Sequence, residues 1–357
     1  MIFILSLLEK WAIFSSWLYI PLLAKRLGAN LFQVGMVLFS FGVGGFFSYY
    51  LFGRLTDITG RKREFLIGGF LFSSLIYYLH AYVSSLVHLF LLRFLAGIAL
   101  GIYSFSLVVL ASQHGNLGRK IGIINLLSAV GILIGWLWAG LLQKFRWIFF
   151  SSSLLFLLNT FLSLFLREKA VSPFKLPLFP LKVIRQNWRI YVSFLLRHTG
   201  ATAIWSFFPI YLKKLGAGER MISLIYSLNP LTQVMTLSLL LLLLNKLSPS
   251  RLFDRGLLLS SLAFLLYSLI PSYIWAFPIT SLVGLSWAIM FTGALVHLTL
   301  FNPEKGTSTG LLGSSWSLAF ITGPLLGGTF SYLLGMRIAI FLAGLLSLGG
   351  WWLAKKG

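Results

Sequence analysis

The chain has 357 residues, of which 58% are hydrophobic and only 10% are charged, and its mean hydropathy is +0.91. Soluble domains carry about 25% charged residues, so this composition excludes a soluble core and indicates that lipid surrounds most of the chain. The net charge of +22 would suggest a nucleic-acid partner for a soluble protein, but basic residues also collect in the cytoplasmic loops of membrane proteins. Cysteine is absent, which excludes a disulfide framework and a cysteine-ligated metal.

Twelve apolar runs in the sequence are each long enough to cross a bilayer, which takes roughly 20 residues of helix. The first run continues through Trp17 and Pro21 without a small-residue cleavage site, so we expect a membrane span there rather than a secretory signal peptide. Only Pro271 and Ser272 separate the ninth run from the tenth. In chain order we predict spans at residues 3–24, 32–53, 64–84, 87–111, 120–142, 147–166, 190–212, 221–244, 253–271, 273–300, 308–333 and 336–354.

The basic residues set the expected orientation of the chain. With the N-terminus inside the cell, most of the 29 lysines and arginines fall in cytoplasmic loops or in the C-terminal tail, as the positive-inside rule requires. We therefore expect a multi-pass protein of the cytoplasmic (inner) membrane with both termini in the cytoplasm. The longest loop, 167–189, is basic and contains three prolines, and it predicts a cytoplasmic linker between an N-terminal half at 1–166 and a C-terminal half at 190–357.

The two halves repeat one another. The stretch "PLLAKRLGA" at 21–29 aligns with "PIYLKKLGA" at 209–217, and the same offset of 188 residues aligns "GILIGWLWAG" at 131–140 with "AFITGPLLGG" at 319–328. Parallel repeats with a substrate site at their interface are a transporter architecture. The predicted fold class is therefore all-α: a polytopic membrane protein whose twelve transmembrane helices form two pseudo-symmetric six-helix bundles around a central cavity.

The stretch "GRLTDITGRK" at 53–62, between the second and third spans, carries the most specific motif. Gly60 permits a tight turn, and Asp57 can accept from Arg61 or lie against a helix N-terminus. The stretch matches the signature loop G-x-L-x-D-x-x-G-R-[RK] of the major facilitator superfamily, and in its motifs the chain resembles the drug/proton antiporter-type members most closely. That resemblance implies a latch at the cytoplasmic ends of the two halves during alternating access, formed by Gly53, Asp57, Gly60, Arg61 and Lys62.

The latch is expected to be one-sided. The counterpart in the second half, "LLLLNKLSPS" at 241–250, has Asn245 in place of the aspartate and Pro249 in place of the arginine. The alternative interpretation of the signature stretch is a basic cytoplasmic hairpin that only fixes the orientation of the chain.

Two weaker patterns resemble the same family. "RFLAGIALG" at 93–101 is similar to its fourth-helix pattern, in which an arginine precedes a glycine by four residues. "GILIGWLWAG" is similar to a fifth-helix motif associated with antiporters, although Trp136 stands in place of its proline. Small residues let membrane helices pack closely, so plain helix packing is the alternative to a gating role. The candidate positions for packing or gating are Gly131, Gly135, Gly140, Gly323, Pro324, Gly327 and Gly328.

The sequence lacks the motifs of other functional classes. An ATP-driven pump needs G-x-x-x-x-G-K-[ST] and a zinc metalloprotease needs H-E-x-x-H, and neither occurs. The five scattered histidines form no metal-ligand pattern. We therefore expect no enzyme, cofactor, metal or nucleic-acid partner, but a monomer whose partners are membrane lipid, a small-molecule substrate and protons. The remaining rival class is a non-transporting membrane sensor or assembly subunit.

In the family that the chain resembles, the first, fourth, seventh and tenth spans line the central path. On that resemblance, the candidate substrate-cavity residues are Trp17, Arg93, Phe105, Trp205, Trp287 and Met290. Aromatic residues with few charges favour an amphipathic organic substrate, although buried aromatics are also common in plain packing. Proton-coupled efflux of hydrophobic or amphipathic compounds is the first expectation. The alternative is uptake or exchange of an organic anion or nutrient by a uniport or symport mechanism, because the charges within the spans are mostly positive.

Glu9 is a rare acid inside an apolar run, "SLLEKWAIF" at 6–14. A first span that began after Lys10 would be too short to cross roughly 30 Å of hydrocarbon before Lys25, so we expect Glu9 within the bilayer. The alternative is an interfacial pair in which Lys10 extends to the headgroups. The 188-residue offset relates Glu9 to Arg197 at the same depth of the membrane. The candidate proton-coupling residues are therefore Glu9, Arg197 and His198.

Overall fold

The computed structural model describes residues 1–17, 19–29, 31–111, 117–142, 144–166, 179–243 and 247–355. Within these ranges the chain is helical, which confirms the predicted all-α class. The helices are α1 (Ile2–Trp17), α2 (Tyr19–Arg26), α3 (Leu31–Thr59), α4 (Lys62–His80), α5 (Leu86–Ala111), α6 (Leu117–Leu142), α7 (Phe145–Leu164), α8 (Leu181–Lys214), α9 (Glu219–Leu243), α10 (Pro249–Leu269), α11 (Ala276–Phe301), α12 (Lys305–Leu334) and α13 (Met336–Lys355), with a 3₁₀ turn at Tyr273–Trp275.

The twelve predicted spans correspond to these helices. The first span comprises α1 and α2, which are separated by residue 18, outside the described residues. The predicted break at Pro271 and Ser272 is present, because α10 ends at Leu269 and the 3₁₀ turn precedes α11. In the described part of the chain, nine helices are long and apolar enough to cross a membrane, judged by length and composition.

Two segments that were predicted as loops are partly helical. α3 continues to Thr59, so the signature stretch 53–62 is helix up to Gly60, whose φ of 71° ends it. α8 begins at Leu181 and runs for 34 residues, about 51 Å at 1.5 Å per residue, so the end of the predicted linker is also helix. Residues 167–178 of the linker lie outside the described residues. The predicted boundaries were wrong because hydropathy falls where lipid ends, whereas a helix continues until its backbone is interrupted.

Contacts divide the chain into two compact units. Unit 1 comprises Met1–Gln186 together with Leu298–Ser317, and unit 2 comprises Asn187–His297 together with Leu318–Gly357. The end of α11 and the first part of α12 therefore belong to unit 1, although they follow the linker in the sequence. The domain limits expected from the sequence stay a prediction.

In unit 1, two of the predicted glycines bring α6 against α1. A Cβ atom on Gly131 would meet the carbonyl of Leu7, and a Cβ atom on Gly135 would lie 2.9 Å from the carbonyl oxygen of Trp11. Contacts this close leave no room for a side chain, so these positions pack helix backbones together. Gly140 of the same motif lies outside the described side-chain positions.

In unit 2, the corresponding glycines of α12 face α8. A Cβ atom on Gly323 would meet the side chain of Thr202, and one on Gly327 would meet the backbone of Ala203. A Cβ atom on Gly328 would have no described neighbour within 4 Å. The proline between these glycines lies inside α12. Two of the three predicted glycines are therefore close-packing positions.

The sequence repeat is visible in the backbone at the ends of α2 and α8. Gly28 and Gly216, which are related by the 188-residue offset, have φ angles of 86° and 92°. In both corners the amide after the glycine donates to the carbonyl five residues earlier, at 3.0 Å. This is a helix-ending motif that requires a left-handed residue, which glycine adopts without strain.

Candidate functional site

Asp57 in the last turn of α3 caps the N-terminus of α12. One carboxylate oxygen accepts from the amide of Gly306 at 3.0 Å, and the other accepts from the amide of Thr307 at 2.6 Å. Asp57 is buried, and the first turn of α12 contains no acid of its own. The carboxylate thus satisfies two unpaired amides of the helix end and complements the positive end of the helix dipole. Of the two partners expected for Asp57, the helix N-terminus is the one found.

Arg54 and Glu304 form an ion pair beside this cap. The guanidinium of Arg54 is almost fully buried, and its Nη1 also lies 3.3 Å from the hydroxyl of Thr307. The sequence analysis did not single out either partner. Glu304 could have been noticed as one of only seven acidic residues, but its partner lies 250 residues away in the chain.

The backbones of α3 and α12 touch along this contact. A Cβ atom on Gly53 would meet the carbonyl of Gly306, and one on Gly306 would lie 2.5 Å from the carbonyl oxygen of Gly53. Farther along, the hydroxyl of Ser314 donates to the carbonyl of Phe46 at 2.7 Å. Gly53 and Asp57 of the predicted latch therefore lie against the first half of α12.

The other predicted latch residues lie outside this contact. Gly60 forms the turn between α3 and α4, and Lys62 donates to its carbonyl at 3.0 Å. Arg61 pairs with Glu64 at 3.4 Å, where both side chains are about two-thirds exposed, and such a pair contributes little to stability. The structure does not bring Arg61 to Asp57, because the turn at Gly60 directs the two side chains apart.

Arg63, which the sequence analysis did not select, closes the end of α7. Its guanidinium donates to the carbonyls of Ser163 and Leu164, the first at 3.3 Å. These carbonyls belong to the last turn of α7 and lack partners within the helix. Arg63 therefore fixes the point at which the first half of the chain leaves its last helix.

Glu9 lies in α1 and is 3% exposed. Its Oε1 atom is 2.6 Å from the ammonium of Lys10, whose side chain is 18% exposed. Its Oε2 atom is buried and has no hydrogen-bond partner among the described residues. The pair foreseen as the alternative is thus present, but the carboxylate is buried.

The surroundings of Glu9 in unit 1 are polar. Its carboxylate lies within electrostatic reach of the hydroxyls of Tyr49, Tyr77 and Tyr103. The side-chain amide of Asn159 in α7 donates to the carbonyl of Leu5, and so holds α1 in place. Three buried tyrosines of unit 1 therefore lie close enough to Glu9 to interact electrostatically with its carboxylate.

Arg93 of α5 is 1% exposed and lies against aromatic faces. Its guanidinium carbon is 4.3 Å from the ring centre of Phe41 and 5.5 Å from that of Trp17. The Tyr77 hydroxyl is a polar neighbour of the guanidinium, but none of the three guanidinium nitrogens forms a hydrogen bond of regular geometry with a described residue. Cation–π contacts of this kind stabilise a desolvated cation by about 2 kcal/mol, which compensates only part of the cost of burying it.

Arg197 of α8 is a second buried cation, in unit 2, with no exposed surface. Its Nε donates to the hydroxyl of Ser260 at 2.6 Å, and its Nη1 lies 3.3 Å from Nδ1 of His198. The guanidinium lies 5.2 Å from the ring of Phe264 and 5.1 Å from that of Trp287. Its Nη2 has no hydrogen-bond partner among the described residues, and none of the described carboxylates forms an ion pair with it.

An aromatic group surrounds His198 in unit 2. The imidazole is stacked on Phe194 at 5.6 Å and lies 5.3 Å from Trp287, which is stacked in turn on Phe291 at 5.0 Å. Flat, stacked surfaces of this kind accommodate planar organic groups. The structure therefore brings together Arg197, His198 and Trp287 of the predicted residues.

The remaining cavity candidates do not join these groups. Met290 is fully buried against Gly256, and Trp205 packs at the edge of the apolar core of unit 2. The side chain of Phe105 lies outside the described residues. Across the described ranges, no three histidines or acids come close enough together to hold a metal ion.

The helices define a multi-pass membrane protein. The crystal structure of the human organic anion transporter MFSD10 (TETRAN) is similar with a TM-score of 0.82 at 16% sequence identity, over 99% of this chain and 97% of that chain. At this identity the likeness shows the fold alone. A search of curated protein sequences found no match.

The chain belongs to the major facilitator superfamily, whose sequence profile matches residues 2–296 and 190–356. This match confirms the resemblance that was based on the signature stretch of α3. The protein is therefore a secondary transporter that moves a small molecule across a membrane. Because the family consists of transporters, membership also agrees with the expectation that the chain is not an enzyme.

Proposed function

We propose that this transporter moves a small amphipathic organic solute by alternating access and that Glu9 binds the coupling proton. The burial of the Glu9 carboxylate carries the proposal. Of the acidic residues that the structure describes, only Glu9 and Asp57 are buried, and both oxygens of Asp57 already accept amide hydrogen bonds. Glu9 has one oxygen without such a bond among the described residues. Ionisable groups within membrane spans are costly and mark proton and ion pathways.

Movement of Lys10 would give the Glu9 carboxylate the two environments that proton coupling needs, one with a paired cation and one without it. Its side chain is more exposed than that of Glu9, so its ammonium can swing towards the headgroups while the carboxylate stays buried. A buried carboxylate that loses its cation is strongly destabilised, and it becomes neutral by binding a proton. Exchange between a Lys10-paired carboxylate and a protonated acid would take up and release one proton in each cycle.

The test is Glu9→Gln in proteoliposomes, with Glu64→Gln as the control because Glu64 is exposed. Solute exchange without a pH gradient should survive in both variants, whereas gradient-driven accumulation should be lost only in the Glu9 variant. Accumulation at the wild-type level in Glu9→Gln would overturn the coupling role.

The charge of the solute is suggested by the two buried arginines. Arg93 and Arg197 have no described carboxylate as an ion-pair partner, and each retains guanidinium N–H groups without hydrogen bonds to described residues. An unpaired buried cation is stabilised by an incoming anion, so a solute with a carboxylate or similar group is favoured. An organic anion is therefore the first candidate solute here, whereas the sequence placed efflux of hydrophobic compounds first. The name of the structurally similar human protein, an organic anion transporter, agrees with this class.

Proton-coupled efflux of hydrophobic compounds is the second candidate. The stacked pair of Trp287 and Phe291 supports it, because such a surface binds planar apolar groups whatever their charge. Competition in a counterflow assay separates the two candidates, with aromatic carboxylates compared with their uncharged amides and with lipophilic cations. Selective competition by the carboxylates supports an organic anion. Equal competition by the amides, or stronger competition by the cations, supports efflux of hydrophobic compounds.

A further inference from the structure

A cavity of about 410 Å³ opens at one end of unit 2, away from the arginine and aromatic groups described above. Its walls are the C-terminal end of α8, with Tyr211, Lys214 and Leu215, and the corner 334–338 between α12 and α13. The proposed transport function makes no use of this cavity.

The described part of the lining carries two cations and no acid. Lys214 and Arg337 are exposed, and neither forms an ion pair with a described carboxylate. Arg337 is held in place because its guanidinium donates to the carbonyl of Ile270 at 3.2 Å, while Tyr211 donates to the carbonyl of Tyr267 at 3.2 Å. Arg337 is therefore held at the cavity, and the described lining is positive, which favours an anionic ligand.

The edge of the same cavity is apolar. Leu334 and Ile338 are each about half exposed, and neighbouring Tyr332 is 89% exposed. These residues lie at the ends of two helices that are long and apolar enough to cross a membrane, so we expect the cavity at the boundary between hydrocarbon and headgroups. A ligand that satisfies both parts of the site needs an anionic head and apolar chains.

We propose that this cavity binds an anionic membrane phospholipid. Lys214 and Arg337 would contact the phosphate, and the acyl chains would lie along Leu334 and Ile338. Arginine and lysine are common phosphate-binding side chains, and each cation near an anionic membrane surface contributes to the attraction. The site is independent of the transported solute and of Glu9.

The first half of the chain offers a matched comparison. Arg26 is the repeat-related counterpart of Lys214, and each lies two residues before a left-handed glycine, Gly28 or Gly216. Arg26 lies 5.6 Å from the ring centre of Phe145, so its cation faces an aromatic ring. Lys214 lines the cavity instead. A change at Arg26 therefore alters the net charge equally without touching the proposed site.

The experiment compares Lys214→Gln, Arg26→Gln and the wild type, purified in detergent and supplied with dioleoylphosphatidylglycerol or dioleoylphosphatidylcholine. Native mass spectrometry measures the lipid retained. We expect the wild type and Arg26→Gln to retain the anionic lipid selectively, and Lys214→Gln to bind it roughly fivefold more weakly. Because Lys214 is exposed, this change should leave the fold intact, and the unfolding midpoint without added lipid checks this.

Three results would overturn the proposal: equal retention of the two lipids by the wild type, unchanged selectivity in Lys214→Gln, and an equal loss in Arg26→Gln. Glycerol phosphate without acyl chains provides a further arm. Displacement of the lipid by this soluble phosphate at similar concentration would show a soluble-phosphate site and contradict a lipid site. If Lys214→Gln unfolds, salt provides a second measurement on the wild type. Lower retention of the anionic lipid at high salt, with unchanged retention of the zwitterionic lipid, supports the proposal.

Discussion

Asp57 and Thr307 lie 250 residues apart in the chain and are joined by a hydrogen bond of 2.6 Å from the Thr307 amide to the Asp57 carboxylate. The carboxylate of α3 thereby acts as the N-terminal cap of α12, whose first turn has no acid. Through this contact, the segment Leu298–Ser317 joins unit 1 although it follows the linker in the sequence. Exchange between conformations of the carrier would have to break and remake this cap if the signature stretch is a latch.

Asp57→Asn should slow solute exchange severalfold while expression and folding stay largely intact, because a carrier with a weakened cap would return less often to the capped conformation through which each cycle passes. The change keeps one oxygen acceptor but removes the charge that complements the helix end, a loss of about 1 kcal/mol. Counterflow in proteoliposomes measures the rate, and Arg61→Gln is the control because Arg61 lies outside the α3–α12 contact. Transport at the wild-type rate in Asp57→Asn would show that the cap is not a latch.

Arg54 and Glu304 should be strongly coupled in a double-mutant cycle. Glu304→Gln leaves a buried guanidinium without its anion, which costs about 3–5 kcal/mol, whereas Arg54→Gln leaves a carboxylate that is partly exposed and costs less. The double change to Gln should recover part of the stability that Glu304→Gln loses. Unfolding of the detergent-solubilised protein measures the four forms. Additive losses would mean that the pair contributes no specific interaction.

Alanine substitutions at two adjacent glycines of α12, Gly327 and Gly328, compare a close-packed position with an open one. Gly327→Ala forces a methyl group into the backbone of Ala203 and should destabilise the protein by about 1–3 kcal/mol. Gly328→Ala places its methyl in open space and should be neutral or slightly stabilising, because alanine favours a helix over glycine. Thermal unfolding in detergent measures both. Equal effects of the two changes would argue against the α8–α12 contact.

Sequence patterns predicted the helices well because hydropathy reports directly on lipid exposure. The motif around Asp57 was also visible, since its glycines and acid occur close together in the chain. Its actual partners, Gly306 and Thr307, could not be derived, because a cap between distant helices depends on tertiary packing. The Glu9–Lys10 pair was foreseeable from adjacency alone, whereas the lack of an ion pair between Arg197 and a described acid is a property of the folded unit.

Arg197 should control the recognition of anionic solutes. Arg197→Gln removes the cation but keeps a side chain that can hydrogen-bond to Ser260. Aromatic carboxylates should therefore no longer compete with the transported solute, while their uncharged analogues compete as before. Ser260→Ala keeps the cation and removes only the 2.6 Å hydrogen bond that orients it. This change should weaken the binding of the carboxylates by a smaller factor, about tenfold or less. Counterflow competition measures both, with the unfolding midpoint as a check on folding. Carboxylates should not compete equally well in the wild type and in Arg197→Gln if the guanidinium contacts the solute, because removal of a contacting charge would weaken binding. Equal competition in the two forms would mean that the buried guanidinium serves only the aromatic packing of unit 2.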